Sequence, residues 1–210
     1  MKMNNSGKWN ISRSDTFWRD IAPGEHVLQI YENTEVFINT LAAFVGTGIN
    51  AGESVIVIAF PENTKLLEDK LRQHVLQLDT LKDDGRYIQL DAKETLDAFM
   101  VNGWPDRDRF NEVIGKVVEK ARGKENRKVR AFGEMVAILW ERGDGRATLE
   151  LEQIWDAYCN REKISLFCAY PKDIFAGPIH EQLNQICTCH SKIIRDTDKA
   201  LTQVVYQEVR

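Results

Sequence analysis

The sequence predicts an α/β fold: a single doubly wound, mostly parallel five-stranded sheet with an added C-terminal helix. Three observations predict it. Five short apolar runs bounded by turn residues alternate with amphipathic helical stretches, the order expected of strands and crossover helices. One of those runs, SVIVIAF from Ser54, is apolar on both faces, as a parallel strand covered on both sides must be. No repeat, low-complexity tract or long linker divides the 210 residues, so they read as one domain.

Taken in order, residues 1–20 read as a loosely ordered arm that Trp9 and Trp18 can pin down. Pro23-Gly24 turns the chain into the first strand, His26 to Tyr31. Asn33-Thr34 caps a helix with Val36, Phe37, Leu41, Phe44 and Val45 on its apolar stripe. Pro61 ends SVIVIAF, and Asn63 or Thr64 caps a helix carrying Leu66, Leu67, Leu71 and Val75. Asp83-Asp84-Gly85 turns into a third strand, Arg86 to Leu90. Residues 91–108 read as a short helix and a loop broken at Asn102-Gly103-Trp104-Pro105, and Phe110 to Arg122 as an amphipathic helix. The fourth strand is Lys128 to Phe132 and the fifth Ile164 to Ala169, with two helices between them. From Ile179 onward, Leu183, Ile186, His190, Ile193, Thr197, Ala200 and Val204 recur at alternating steps of four and three. That seam predicts a last helix that docks on the core and then pairs with another helix, with 196–210 as a helical extension.

The stretch from Val129 to Cys159 organises the rest. Gly133 lets the backbone turn after the strand, and Glu134 follows at its carboxyl end, the edge where open α/β sheets bind ligands. The neighbouring strand ends bring Tyr31 and Glu32, Phe132 and Glu134, and Cys168 and Tyr170 to the same edge, with Trp140 and Trp155 on the adjoining helices. Aromatics with a few polar groups suit a small, largely apolar ligand. Two readings of Glu134 stand side by side. It caps a neighbouring helix or pairs with Arg130 or Arg142; alternatively it faces a cleft between Tyr31 and Tyr170 and binds a ligand's polar end. The tryptophans, likewise, are either core or ligand platform.

A net charge of −4 gives no electrostatic case for nucleic acid or an anionic membrane as partner. No apolar run approaches the roughly 20 residues that span a bilayer, and the first residues lack a signal peptide's apolar core. Four cysteines without framework spacing fit reduced thiols and a cytoplasmic location.

The loop after the first strand, Glu32-Asn33-Thr34, has neither the glycines nor the lysine of a phosphate loop, and Glu32 would repel a phosphate. Cys187-Thr188-Cys189-His190 invites a metal reading. On a helix Cys187 and His190 can share an ion but Cys187 and Cys189 cannot, and no second pair completes four ligands, so no metal and no cofactor is expected. For nucleophilic catalysis Cys168 with His26 or His190 is the candidate set, but SLFCAYP is as apolar as a buried strand and buried cysteines are usually inert.

The segments HVLQIYEN, FVGTGINAGESVIVIA, VRAFGEMVAILW, LELEQIW, SLFCAYP and CTCHSKII together resemble the MEDS domain, the methanogen/methylotroph sensory domain of dichloromethane-responsive regulators, over about residues 21–195. The family is similar to a degenerate RecA/KaiC ATPase that has lost its phosphate loop. His26, Tyr31, Gly52, Glu53, Gly133, Glu134, Trp140, Glu152, Cys168, Tyr170 and His190 fit its pattern. The resemblance implies a non-catalytic sensory module for small hydrocarbon derivatives, working with a histidine kinase or transcriptional regulator, here in trans. The alternatives are a ligand-free scaffold for such a partner and an enzyme using Cys168 or Glu134. The C-terminal seam adds the expectation of a homodimer shielding Ile186, Ile193 and Ala200.

Overall fold

The computed structural model describes residues 15–74, 77–175, 180–195 and 203–206. A short helix, α1 (Asp15–Arg19), leads to β1 (His26–Tyr31), α2 (Thr34–Asn50) and β2 (Ser54–Ala59). Then follow α3 (Pro61–Gln73), α4 (Leu78–Asp83), β3 (Tyr87–Asp91) and α5 (Ala92–Phe99). A two-residue pair, β4 (Met100–Val101) and β5 (Trp104–Pro105), precedes α6 (Arg107–Arg122). The second half runs β6 (Val129–Gly133), α7 (Met135–Glu141), α8 (Gly145–Glu162), β7 (Ser165–Pro171), a 3-10 turn (Lys172–Phe175), α9 (His180–Thr188), β8 (Lys192–Arg195) and β9 (Gln203–Tyr206).

The fold class is the expected one, a doubly wound α/β sheet. The sheet has seven strands in the order β3-β2-β6-β7-β1-β8-β9, where five were expected, and all neighbours are parallel except β8 and β9. The two extra strands replace the outer part of the expected C-terminal helix. Ile193 and Ile194 explain the replacement: adjacent in sequence, they are 3% and 1% exposed and pack into opposite cores, which a strand permits and a one-sided helix does not. With Ile186 also buried in the same chain, the face expected to pair with a second copy is consumed internally, and Ala200 lies outside the described residues. Residues 203–206, expected within a helical extension, form β9. The arm expected over residues 1–20 is described only from Asp15, and there Trp18 is buried against Phe44 and Phe167 at ring distances of 5.0 Å each.

The side chains of each strand alternate between two apolar layers. Val27, Val55, Val57, Phe132, Phe167 and Ala169 meet α1 to α4, while Leu28, Ile56, Ala131, Leu166, Cys168 and Tyr170 meet α5 to α9. Both layers are closed, as a parallel sheet requires, because its strands have no wet face.

Candidate functional site

Of the eight residues expected around one ligand, six divide between these two layers. Phe132 is fully buried among Phe37 and Phe167, with ring centroids 5.7 and 5.3 Å away, and the Tyr31 ring stacks on Phe37 at 4.5 Å. Glu32 pairs at the surface with Lys172. Trp140, Trp155, Cys168 and Tyr170 belong to the opposite layer, where Trp155 meets Phe110 edge-on at 4.8 Å.

Glu134 stands between β6 and α7, and both of its carboxylate oxygens are used. Oε2 accepts the Phe60 backbone N–H and Oε1 accepts the Asn63 side-chain amide, each at 2.7 Å. Those donors open α3, a helix whose N-cap position, Phe60, has no side chain able to cap it. Glu134 therefore caps α3 from across the sheet, the first of the two roles its position allows. Burial pushes its carboxyl up to about 7, the Phe60 and Asn63 hydrogen bonds oppose that, and Glu62 and Glu141 add to it. Gly133 continues β6 without a positive φ, so the turn falls after it rather than on it. Arg130 pairs with Glu53 instead, and its guanidinium donates to Trp18 O at 2.9 Å and Thr47 Oγ1 at 3.1 Å. A groove of about 370 Å³ lies outside α3 and β3, lined by Thr64, Lys65, Glu68, Arg72, Gln89 and Asp91, and it contains none of the eight.

The structure assembles a different group. His26 opens β1, Cys168 and Tyr170 share a face of β7, Glu152 projects from α8, and His190 follows the end of α9. All five side chains are at most 2% exposed. His26 Nε2 lies 3.2 Å from Cys168 Sγ and 3.5 Å from Glu152 Oε2, and His190 Nε2 lies 3.5 Å from the same oxygen. The imidazole rings are 3.9 Å apart at a tilt of 42°. Tyr170 donates its hydroxyl to Glu152 Oε1 at 2.5 Å. His190 Nδ1 sits 2.7 Å from the Ile186 carbonyl, so it carries the proton and leaves Nε2 as a lone pair. Glu152 Oε2 and His190 Nε2 have no hydrogen-bond partner.

Burial sets the electrostatics of the group. It pushes the Glu152 carboxyl up to about 8 against the Tyr170 hydrogen bond, and pushes His190 down to about 4 against its bond to Ile186. It also lowers His26, helped by the neighbouring His190, and raises the Cys168 thiol, helped by Glu152. A thiol so placed is a poor nucleophile.

In the sequence Cys168 with His26 or His190 is the nucleophilic candidate, and Glu152 enters only through the family pattern. The signal for Glu152 was available: it sits among Thr148, Leu151, Trp155 and Cys159, all buried on one stripe of α8. For His190, helical spacing misleads, because α9 ends at Thr188 and the chain has turned by His190. The expected location of Cys168 at a strand's carboxyl end also shifts, since it is the fourth of seven residues in β7.

Among the described residues no helix is long and apolar enough to cross a membrane. No curated protein matches the chain at a significant level. Solved structures do share its fold. A Pyrococcus horikoshii OT3 protein solved in a structural study superposes with a TM-score of 0.60 at 12% identity, covering 93% of this chain and 91% of that one. A KaiC-like protein of the same archaeon gives 0.59 at 15% identity, covering 90% of this chain and 81% of that one. The fold is thus RecA/KaiC-like. The family model described as MEDS, the MEthanogen/methylotroph, DcmR Sensory domain, matches residues 25–191, a span that begins one residue before His26 and ends one after His190. The chain belongs to the MEDS sensory-domain family.

Proposed function

We propose that the chain is a non-catalytic sensory module that binds a small, largely apolar ligand, such as a hydrocarbon derivative, and passes the signal to a histidine kinase or transcriptional regulator. One observation carries the reading: the two ends of the family segment, His26 and His190, meet at a buried polar group inside an otherwise apolar layer. Unpartnered polar atoms in such a layer are costly, and folds keep them chiefly where they serve a site. The group supplies a polar anchor, and Trp155, Tyr158, Ile186 and Ile193 of the same core supply apolar surroundings.

The same place has a route outward. Ser191, next to His190, donates its backbone N–H and its hydroxyl to the His26 carbonyl at 2.8 and 3.0 Å, then leads into β8 and the outermost strand β9. A ligand bound beside His26 and His190 would act on this β1–β8 seam. Catalysis by nucleotide hydrolysis is disfavoured at the loop after β1. There Asn33 Oδ1 takes the free N–H groups of Glu35 and Val36 at 2.8 and 3.3 Å.

Native mass spectrometry of freshly purified protein, with melting curves in short halogenated and methylated hydrocarbons, tests the reading. Retained ligand mass, or a rise in melting temperature with one of these compounds, supports it. Neither effect with any of them overturns the ligand, and magnesium-dependent ATP turnover overturns the non-catalytic assignment.

A further inference from the structure

We propose that His26, Glu152, Cys168 and His190 form a four-ligand site for a divalent transition-metal ion, zinc being the ion this donor set fits best. The proposal deepens the sensory reading and rests on it only for what the ion would serve, the polar anchor of the ligand.

The four donors form a compact buried cluster. One donor atom from each of the four residues lies within 4.8 Å of every other, and all four residues are buried. A tetrahedral zinc with two nitrogens, an oxygen and a sulfur separates neighbouring ligand atoms by about 3.3–3.6 Å. Three of the separations here are 3.2, 3.5 and 3.5 Å. Hydrogen bonding alone explains them less well. A protonated carboxyl closing on an imidazole would shorten to about 2.7–3.0 Å, yet Glu152 Oε2 and His190 Nε2 stay at 3.5 Å with no partner.

Two of the ligands are also held from outside. The Ile186 carbonyl fixes the His190 tautomer so that Nε2 faces inward. His26 likewise turns Nε2 toward Cys168 and Glu152. Tyr170 occupies Glu152 Oε1 and leaves Oε2 to the centre. Such outer partners orient metal ligands and tune their affinity. Mixed imidazole, carboxylate and thiolate donors select a borderline-soft ion over magnesium or calcium, and one carboxylate with one thiolate balances a dication, leaving no net charge buried. The site differs from the Cys187–His190 pair suggested by helical spacing, for Cys187 is not among the four and Cys189 Sγ contacts the Gln185 carbonyl at 3.5 Å.

Cobalt(II) titration of the full chain, after chelation and dialysis, tests the site. The expected result is one equivalent bound, with intense visible bands of tetrahedral cobalt and a near-ultraviolet thiolate-to-cobalt absorption. That absorption should vanish in Cys168→Ser and persist in Cys189→Ser. If a ligand variant fails to fold, Tyr170→Phe substitutes for it and should weaken cobalt binding about 10–100-fold. No stoichiometric uptake, unchanged affinity in Tyr170→Phe, or a sulfur band that follows Cys189 overturns the proposal. A retained organic ligand without cobalt uptake overturns the metal site and leaves the sensory reading standing. Cobalt uptake with no small-molecule effect does the reverse.

Discussion

Tyr170 donates its hydroxyl to Glu152 at 2.5 Å, joining β7 to α8 beneath a layer of apolar side chains. Both residues are 0% exposed, so neither can exchange this partner for water. The bond holds one carboxylate oxygen and thereby aims the other at His26 and His190.

Removing that hydroxyl in Tyr170→Phe should lower stability by about 1.5–3 kcal/mol, the range for a buried hydrogen bond to a charged or strongly polar group. Chemical denaturation measures it. A loss below a few tenths of a kcal/mol would mean Glu152 is held by something else.

Glu134 makes stability depend on pH in a stated direction. Its carboxyl is raised from an ordinary 4.5 to about 7 in the fold, so between those values the native state binds more protons than the unfolded chain. Its contribution is therefore complete below about pH 4.5 and is lost as pH rises through about 7, to an extent of roughly 3 kcal/mol. Glu134→Gln cannot titrate, and its amide group turns a donor toward Phe60 or Asn63. The variant should be about 1–3 kcal/mol less stable than the wild type at pH 5, with the gap narrowing by pH 8. Denaturation curves at both pH values decide it, and a constant gap would contradict the raised Glu134 carboxyl.

Arg130 and Glu53 form a nearly buried pair beneath α2, and the Arg130 guanidinium also holds the Trp18 carbonyl of α1. Arg130→Met should cost about 3–5 kcal/mol, since Glu53 loses its partner in a largely dry setting. It should also release α1, seen as faster proteolysis near Trp18. Gly48→Ala approaches the same guanidinium from the other side, because its Cβ would lie 2.9 Å from Arg130 Cδ. A loss of about 1–3 kcal/mol is expected there. A neutral effect of both variants would remove this pair from the account.

Ile193→Glu would separate monomer from dimer if Ile193 lay on an intermolecular seam. In β8 it is 3% exposed inside the chain's own core, so the variant should instead unfold the C-terminal edge. Loss of cooperative melting is the expected readout, and a folded variant whose only change is a smaller mass in light scattering would restore the seam.

Much of the fold was legible because parallel strands buried on both faces, such as Ser54–Ala59, announce themselves as unbroken apolar runs. The C-terminal strands were not, because four residues, Lys192–Arg195, are too few to show a period, and Ile193 also fits a helical seam. Glu134 was located correctly at a strand end, yet its capping role needed Phe60 and Asn63, which only the sheet order brings near. The same holds for the buried quartet. His26, Cys168 and His190 carried chemical interest in the sequence. Their meeting with Glu152 depends on β1 lying between β7 and β8, a crossover that local pattern does not encode.

The most direct test of the central claim, that the quartet is a built metal-binding centre of a sensory domain, is zinc K-edge X-ray absorption on the full chain loaded with one equivalent. The account predicts a four-ligand shell of nitrogen and oxygen at about 2.0–2.1 Å with a single sulfur at about 2.3 Å, the sulfur lost in Cys168→Ser. A shell of oxygens alone, or two sulfurs from Cys187 and Cys189, would contradict it.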